Sequence, residues 1–252
     1  MSRHVAVLMG GWSSEREVSL VSGQAVAKAL REAGYRATEV DAQRNMGDEL
    51  LRLKPDVVFN ALHGRFGEDG KVQGLLEILG FPYTHSGVLA SALAMDKPMA
   101  KRLFAEAGIP LAAGMVVSRA EFIEAPPFPP PYVIKPLNEG SSVGVRIVMP
   151  GDNFDPADDR NWSHGGQVLV ERYIPGREIQ VAVMGDRALG AIEIKPLGRF
   201  YDYEAKYTAG RAQHLMPAPL EPADYAEALR LGRLAHNALG CRGVSRADLR
   251  FD

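Results

Sequence analysis

The sequence predicts a parallel-sheet α/β layer followed by a strand-rich α+β region. Two observations carry this: strand and helix signals alternate over about the first ninety residues, and after Ala94 short strands crowd together with few helices between them. His4–Met9 is an apolar, β-branched run ending in Gly10-Gly11. Val26, Ala29, Leu30 and Ala33 then fall at i, i+3, i+4 and i+7, one helical face, and Gly34 closes that helix. Arg36–Val40 alternates as a strand, and Asp56–Leu62 reads as a second buried one. Asp69 is placed to N-cap a helix whose face is Val72, Leu75, Leu76 and Leu79, closed by Gly80. In such sheets ligands bind at the carboxyl ends of the strands.

Beyond Ala94 a helix is expected around Met95–Ala107. Strands follow at Met115–Val117, Tyr132–Lys135, Val145–Met149, Gln167–Glu171, Ile179–Met184 and Ala188–Ile194. The proline-rich run Pro126–Pro131 is a stiff surface connection, and Pro150–Gly166 a solvated loop. Gly198–Gln213 is a long polar and aromatic loop, of a length that often serves as a lid. A last helix begins near Pro222, runs through Leu231, Leu234, Ala235 and Ala238, and stops at Gly240.

With 252 residues, 46% of them hydrophobic, the chain can bury a substantial core in more than one unit. Its 29 basic and 31 acidic residues leave a net charge of −2, without the basic excess of a nucleic-acid-binding protein. A charged substrate must then be handled by local groups rather than by a global field. Cys241 is the only cysteine, so no internal disulfide can form, and it reads as a small buried residue. The opening Met1-Ser2-Arg3-His4 has no signal-peptide core, and no apolar run approaches membrane-spanning length. A cytoplasmic protein with no membrane partner is expected.

Several nucleotide motifs fail. Gly10-Gly11 lacks the rest of a dinucleotide fingerprint, because Ser13, Ser14 and Glu15 occupy the turn and a carboxylate there repels a pyrophosphate. Gly70-Lys71 is not a Walker A loop, since Val72 follows and Arg65 stands where the first glycine belongs. Gly140–Gly144 matches G-x-S-x-G, but the nucleophile elbow needs a helix after the turn and here a strand follows. A hairpin there offers backbone N–H groups and the hydroxyls of Ser141 and Ser142 to a phosphate chain, or is an ordinary turn. Lys135 and Lys97 could reach phosphates. Glu171, followed by Arg172-Tyr173-Ile174, could bond an adenine amino group. Each of these charges taken alone also reads as a solvated surface group.

Taken together, the motifs resemble those of the D-alanine–D-alanine ligases. The matching segments are Gly10–Ser19, Ala61–Gly70, Met95-Asp96-Lys97, Lys135-Pro136 with Glu139–Gly144, Phe200–Tyr207 and Arg246-Ala247-Asp248, in order along nearly the whole chain. The resemblance implies an N-terminal α/β substrate domain over residues 1–94 and a two-lobed ATP-grasp fold, with a central lobe over 95–176 and a C-terminal lobe over 177–252. It implies ligation of two D-alanines with ATP and Mg²⁺ or Mn²⁺, through an acyl phosphate, for peptidoglycan precursor synthesis, by a homodimer. Glu15 would bind the first substrate's ammonium, bonded to Ser141 and Tyr207 of the lid, and His63 would contact its carboxylate region. Lys97, Lys135 and Lys206 would hold phosphates, with Ser142 beside them. Glu171 would meet adenine, the backbone near Ile174 would read its edge, and Glu178 would bind the ribose. Arg246 would steady the transferring oxygens and Asp248 would ligate the metal.

In the family that the chain resembles, a tyrosine at the position of Tyr207 goes with a peptide rather than an ester product, so the resemblance implies the peptide; the residue could also simply pack against the lid. The family pattern continues beyond Phe251-Asp252 with a strand carrying Glu-x-Asn, so the remaining metal ligands are expected outside this sequence, which reads as incomplete. The alternatives are an ATP-grasp ligase for another carboxylate and amine, a non-catalytic ATP-binding domain, and a hydrolase at Ser142.

Overall fold

In the computed structural model β1 (His4–Met9) is buried along its whole length, as a central parallel strand must be. It pairs in parallel with β2 (Arg36–Asp41) and β3 (Val57–Asn60) in the order β2-β1-β3. Alternation along the strands sends Leu8, Val40 and Val58 to one face, where Leu50 and Leu76 cover them; Val5 and Val7 go to the other, against Ala27 and Ala61. The covering helices are α1 (Arg16–Glu32), α2 (Met46–Leu53) and α3 (Lys71–Leu79), with α4 (Val88–Met95) after them. The structure describes residues 2–140, 143–157, 166–196 and 212–252. These form two compact units, Met1–Ala94 with Gly240–Ser245, and Met95–Leu239 with Arg246–Asp252.

Two expectations about these helices are corrected. α1 starts at Arg16, well before the apolar repeat, and its buried line is Ser19, Gly23 and Ala27; of the expected face Val26 and Leu30 pack against the core, while Ala29 and Ala33 are exposed. The helix lies too close to β1 for large side chains: a Cβ on Gly23 would stand 2.6 Å from the Met9 sulfur. Ser19 uses the short gap to donate 2.7 Å to the Ala61 carbonyl and accept 2.9 Å from the Gly10 N–H. Asp69 does not cap α3. Gly70 holds the N-cap in the left-handed region, and Asp69 pairs with Lys71 instead. The expected core residues of α3, Val72 and Leu76, are buried, and Gly80 closes it.

The second unit holds two antiparallel sheets. The first contains β4 (Gly114–Ser118), β5 (Tyr132–Pro136), β6 (Arg146–Val148) and β7 (Gln167–Arg172), in the order β4-β7-β5-β6, around Phe122, Tyr132, Ile134, Val168 and Val170. α5 (Lys97–Glu106) precedes it. The short α6 (Arg119–Glu124), absent from the sequence expectation, is set by a reciprocal capping box between Ser118 and Glu121. The second sheet contains β8 (Arg177–Met184), β9 (Arg187–Pro196), β10 (Ala212–Leu215) and β11 (Val244–Phe251), in the order β10-β9-β8-β11. On it lies α7 (Pro222–Ala238), where a Cβ on Gly232 would stand 2.8 Å from the Val181 Cβ.

Ala212 and Gln213, expected in the long loop, belong to β10. The rest of that loop, with Lys206 and Tyr207, lies outside the described residues, as do Ser141, Ser142 and residues 158–165. No helix among the described residues is long and apolar enough to cross a membrane.

Two glycine-to-alanine changes should therefore differ in sign. Gly23→Ala forces α1 off β1 and should destabilise by about 1–3 kcal/mol. Gly74→Ala, in α3, meets only ordinary contact 3.9 Å away and should be neutral or stabilising by up to about 1 kcal/mol. Chemical denaturation of the two variants checks this; equal midpoints would refute the packing account.

Candidate active site

In the first unit the carboxyl ends of β1 and β3 converge on Glu15 and His63. Gly10, at φ +75°, turns the chain out of β1, and a side chain there would stand 2.7 Å from a guanidinium nitrogen of Arg16. That guanidinium grips Asp41 at the end of β2 with two bonds of 2.7 and 2.6 Å and donates 2.8 Å to the Gly11 carbonyl. The fork-to-fork pair thus pins the β1–α1 turn to β2. From that turn Ser13 donates 2.8 Å to the His63 carbonyl, and its hydroxyl accepts 3.2 Å from the Glu15 N–H.

Glu15 itself is buried at the start of α1, and its carboxylate fills the space over Gly64 where a Cβ would otherwise sit. Gly64 has φ +67° and donates 2.6 Å from its N–H to Glu68. The His63 imidazole lies 3.3 Å from the Ser22 hydroxyl. The structure thus brings Glu15 and the His63-Gly64 turn together: an acidic seat suited to a small ammonium.

The second unit gathers the cations. Asp96 caps α5 by accepting 3.0 Å from the Met99 N–H, which fixes Lys97 in the first turn. The Lys97 ammonium donates 2.6 Å to the Glu139 carbonyl at the mouth of the β5–β6 connection. Burial, with the Lys135 charge nearby, pushes its pKa down to about 8. Lys135 on β5 pairs with Glu171 on β7. Burial pushes the Glu171 carboxyl up, but the ammoniums of Lys135 and Lys101 outweigh it and hold the group below the usual range. Beyond β7, the Ile174 carbonyl accepts two bonds from Arg250, at 3.3 and 3.2 Å, and Arg250 lies 3.7 Å from Glu178.

On β11 alternate residues face opposite ways: Leu249 and Phe251 pack inward, while Arg246, Asp248 and Arg250 share the outer face. Arg246 bonds Asp248 with two contacts of 2.8 and 3.1 Å. Among the described residues no cluster of three or more His, Cys, Asp or Glu could hold a metal, and Asp248 offers one carboxylate. Lys97, Lys135 and Glu171 therefore stand together, Ile174 and Glu178 meet at Arg250, and Arg246 stands with Asp248. Sequence reasoning passed over Lys101, Arg250 and the Arg16–Asp41 pair. Lys101 alone left a signal, falling four residues after Lys97 on the same helical face.

Comparison with known proteins points to one family along most of the chain. The profile of the D-ala D-ala ligase C-terminus matches residues 103–252 and that of the N-terminus residues 37–86. A D-alanine–D-alanine ligase from Parvibaculum lavamentivorans is 60% identical over 253 residues, covering 100% of this chain and 82% of the relative. One from Paramagnetospirillum magneticum is 62% identical over 257 residues, covering 100% and 83%.

Among solved structures, the D-alanine–D-alanine ligase from Bacillus anthracis complexed with ATP superposes with a TM-score of 0.81 at 27% identity, covering 100% of this chain and 82% of that one. A D-Ala:D-Ser ligase from Enterococcus faecalis gives 0.79 at 29%, covering 100% and 87%. The parallel layer followed by antiparallel sheets is the ATP-grasp architecture of these ligases. The chain belongs to the D-alanine–D-alanine ligase family.

Proposed function

We propose that this chain joins two D-alanines at the expense of ATP, forming D-alanyl-D-alanine for peptidoglycan precursors, with ADP and phosphate as the other products. The observation that carries the substrate reading is the buried Glu15 carboxylate seated over Gly64 beside His63. A carboxylate there suits the ammonium of an amino acid rather than a phosphate, and in this reading His63 takes the carboxylate region.

ATP phosphorylates the first D-alanine's carboxylate to an acyl phosphate and leaves as ADP. The amine of the second attacks the activated carbon, loses a proton, and phosphate departs. Charge builds first on phosphoryl oxygens and then on a tetrahedral oxyanion, so preplaced cations should lower the barrier most. Lys97 and Lys135 take the phosphates, with Lys206 and Ser142 joining them. Glu171, the backbone at Ile174 and Glu178 take adenine and ribose. Ser141 and Tyr207 close the lid against Glu15, keeping water from the acyl phosphate.

Arg246 serves the transferring oxygens. Asp248, a hard oxygen donor, would give one ligand to a divalent cation, Mg²⁺ or Mn²⁺, which neutralises phosphate charge when bound. On the family resemblance we also place the enzyme in the cytoplasm as a homodimer, organised as a substrate domain over 1–94 and two ATP-grasp lobes over 95–176 and 177–252.

Phosphate release from Mg²⁺-ATP tests the reading, with L-alanine as control. D-alanine should stimulate release and L-alanine should not; release indifferent to the amino acid would refute it. Arg246→Ala should lower kcat by about 10²–10³-fold with little change in ATP affinity, and an unchanged kcat would remove Arg246 from the mechanism. Lys97 holds its charge below about pH 8, so ATP affinity should weaken as pH rises through that value. Lys97→Arg, charged throughout, should flatten the profile. A wild-type KM for ATP that is constant from about pH 7 to 9 would dismiss this role.

A further inference from the structure

Both oxygens of Glu171 are occupied, Oε1 by Lys101 and Oε2 by Lys135. The two ammoniums are not equivalent. Lys135 precedes the Gly/Ser hairpin on β5, and in the proposed reaction it turns to the phosphates. Lys101 sits on α5, one turn beyond Lys97, and also donates 2.8 Å to the Ala112 carbonyl, so it is tethered on two sides. Gly114 completes the seat. It lies opposite Glu171 in the β4–β7 register, and a Cβ there would stand 2.7 Å from the Glu171 Cγ. Space rather than backbone conformation excludes a side chain at that position. This carboxylate therefore has a built receptacle with one fixed cation and one that the nucleotide would draw away.

We propose that Lys101 is the permanent counter-ion of Glu171, a positioning residue that keeps the carboxylate charged and aimed at the base once Lys135 has gone to the phosphates, and so selects a 6-amino over a 6-oxo purine. The inference rests on the assignment of Glu171 to adenine. An ionised carboxylate only accepts hydrogen bonds, which suits the amino group of adenine and repels the carbonyl of hypoxanthine. A buried carboxylate stripped of its cations takes up a proton instead. Its O–H can then donate to a 6-oxo group, and discrimination is lost. Lys101 thus acts on the base through Glu171 without touching it.

Steady-state kinetics with ATP and with inosine triphosphate, which differs from ATP only in its 6-oxo base, test this on the wild-type enzyme, K101M, K101R, E171Q and K101M/E171Q. K101M should raise the KM for ATP on the order of tenfold, leave the KM for D-alanine unchanged, and lower the ATP-to-inosine-triphosphate ratio of kcat/KM by a similar factor. K101R should restore most of both, and the double variant should match E171Q alone. Wild-type values in K101M would overturn the proposal, as would a double variant clearly worse than E171Q, which would mean that Lys101 acts on the phosphates directly. If E171Q itself leaves the ratio unchanged, the assignment of Glu171 to the base falls, separately from any effect of Lys101. Should K101M fail to fold, Lys101→Gln carries the same comparison.

Discussion

A carboxylate taken out of water costs several kcal/mol unless cations or donors meet it, and among the described residues three glutamates, Glu15, Glu171 and Glu193, are buried. Much of the architecture meets that demand. Glu193 is gripped by Arg177 with bonds of 3.0 and 2.7 Å, and Arg177 in turn donates 2.8 Å to the Pro219 carbonyl, tying the chain ahead of α7 to the β8–β9 pair. Glu171 joins β7, β5 and α5 through its two lysines. Glu15 sits where the backbone of Gly64 leaves room and where the first turn of α1 favours negative charge. Glu171 and Glu193 each fix several elements at once.

Close approach is the second constraint. Both long helices reach their sheets through a glycine, Gly23 over Met9 and Gly232 over Val181, and Gly114 clears room for Glu171. Small residues there bring each helix or strand close to its neighbour within its own unit. The same economy appears at the β1–α1 turn, where Gly10 leaves the Arg16–Asp41 pair undisturbed.

The alternation of strand and helix in the first unit was legible because β1 and β3 are apolar runs between turn residues, and α3 carries a full apolar face. α1 was legible only in its second half, since Ser19, Gly23 and Ala27 hold little hydrophobic signal. The short helices α2 and α6 went unseen, although Ser118 and Glu121 spell a capping box and Met46, Leu50 and Leu53 share a helical face. In the site, Lys97, Lys135 and Glu171 were legible as charges near a Gly/Ser turn. The tether of Lys101 to Glu171 and of Arg250 to Ile174 was not, because a pairing across 70 or 76 residues depends on sheet register and leaves no local trace.

The segment Gly240–Ser245 leaves the second unit's chain to complete the first, and this bears on how the protein is made. Ser86 bonds the backbone of Arg242 at 3.3 Å, Arg242 donates 3.2 Å to the His85 carbonyl, and Gly243 lies against His85, which holds φ +72°. These contacts span 156 and 157 residues. At ribosomal speeds of about 5–20 residues per second, the first unit waits roughly 8–30 s for its last piece. During that interval the turn at His85 lacks its closing partner, and Tyr83 lacks the guanidinium that later covers its ring. Final closure of the first unit is thus delayed, set by the arrival of a strap encoded 156 residues after the turn that it completes.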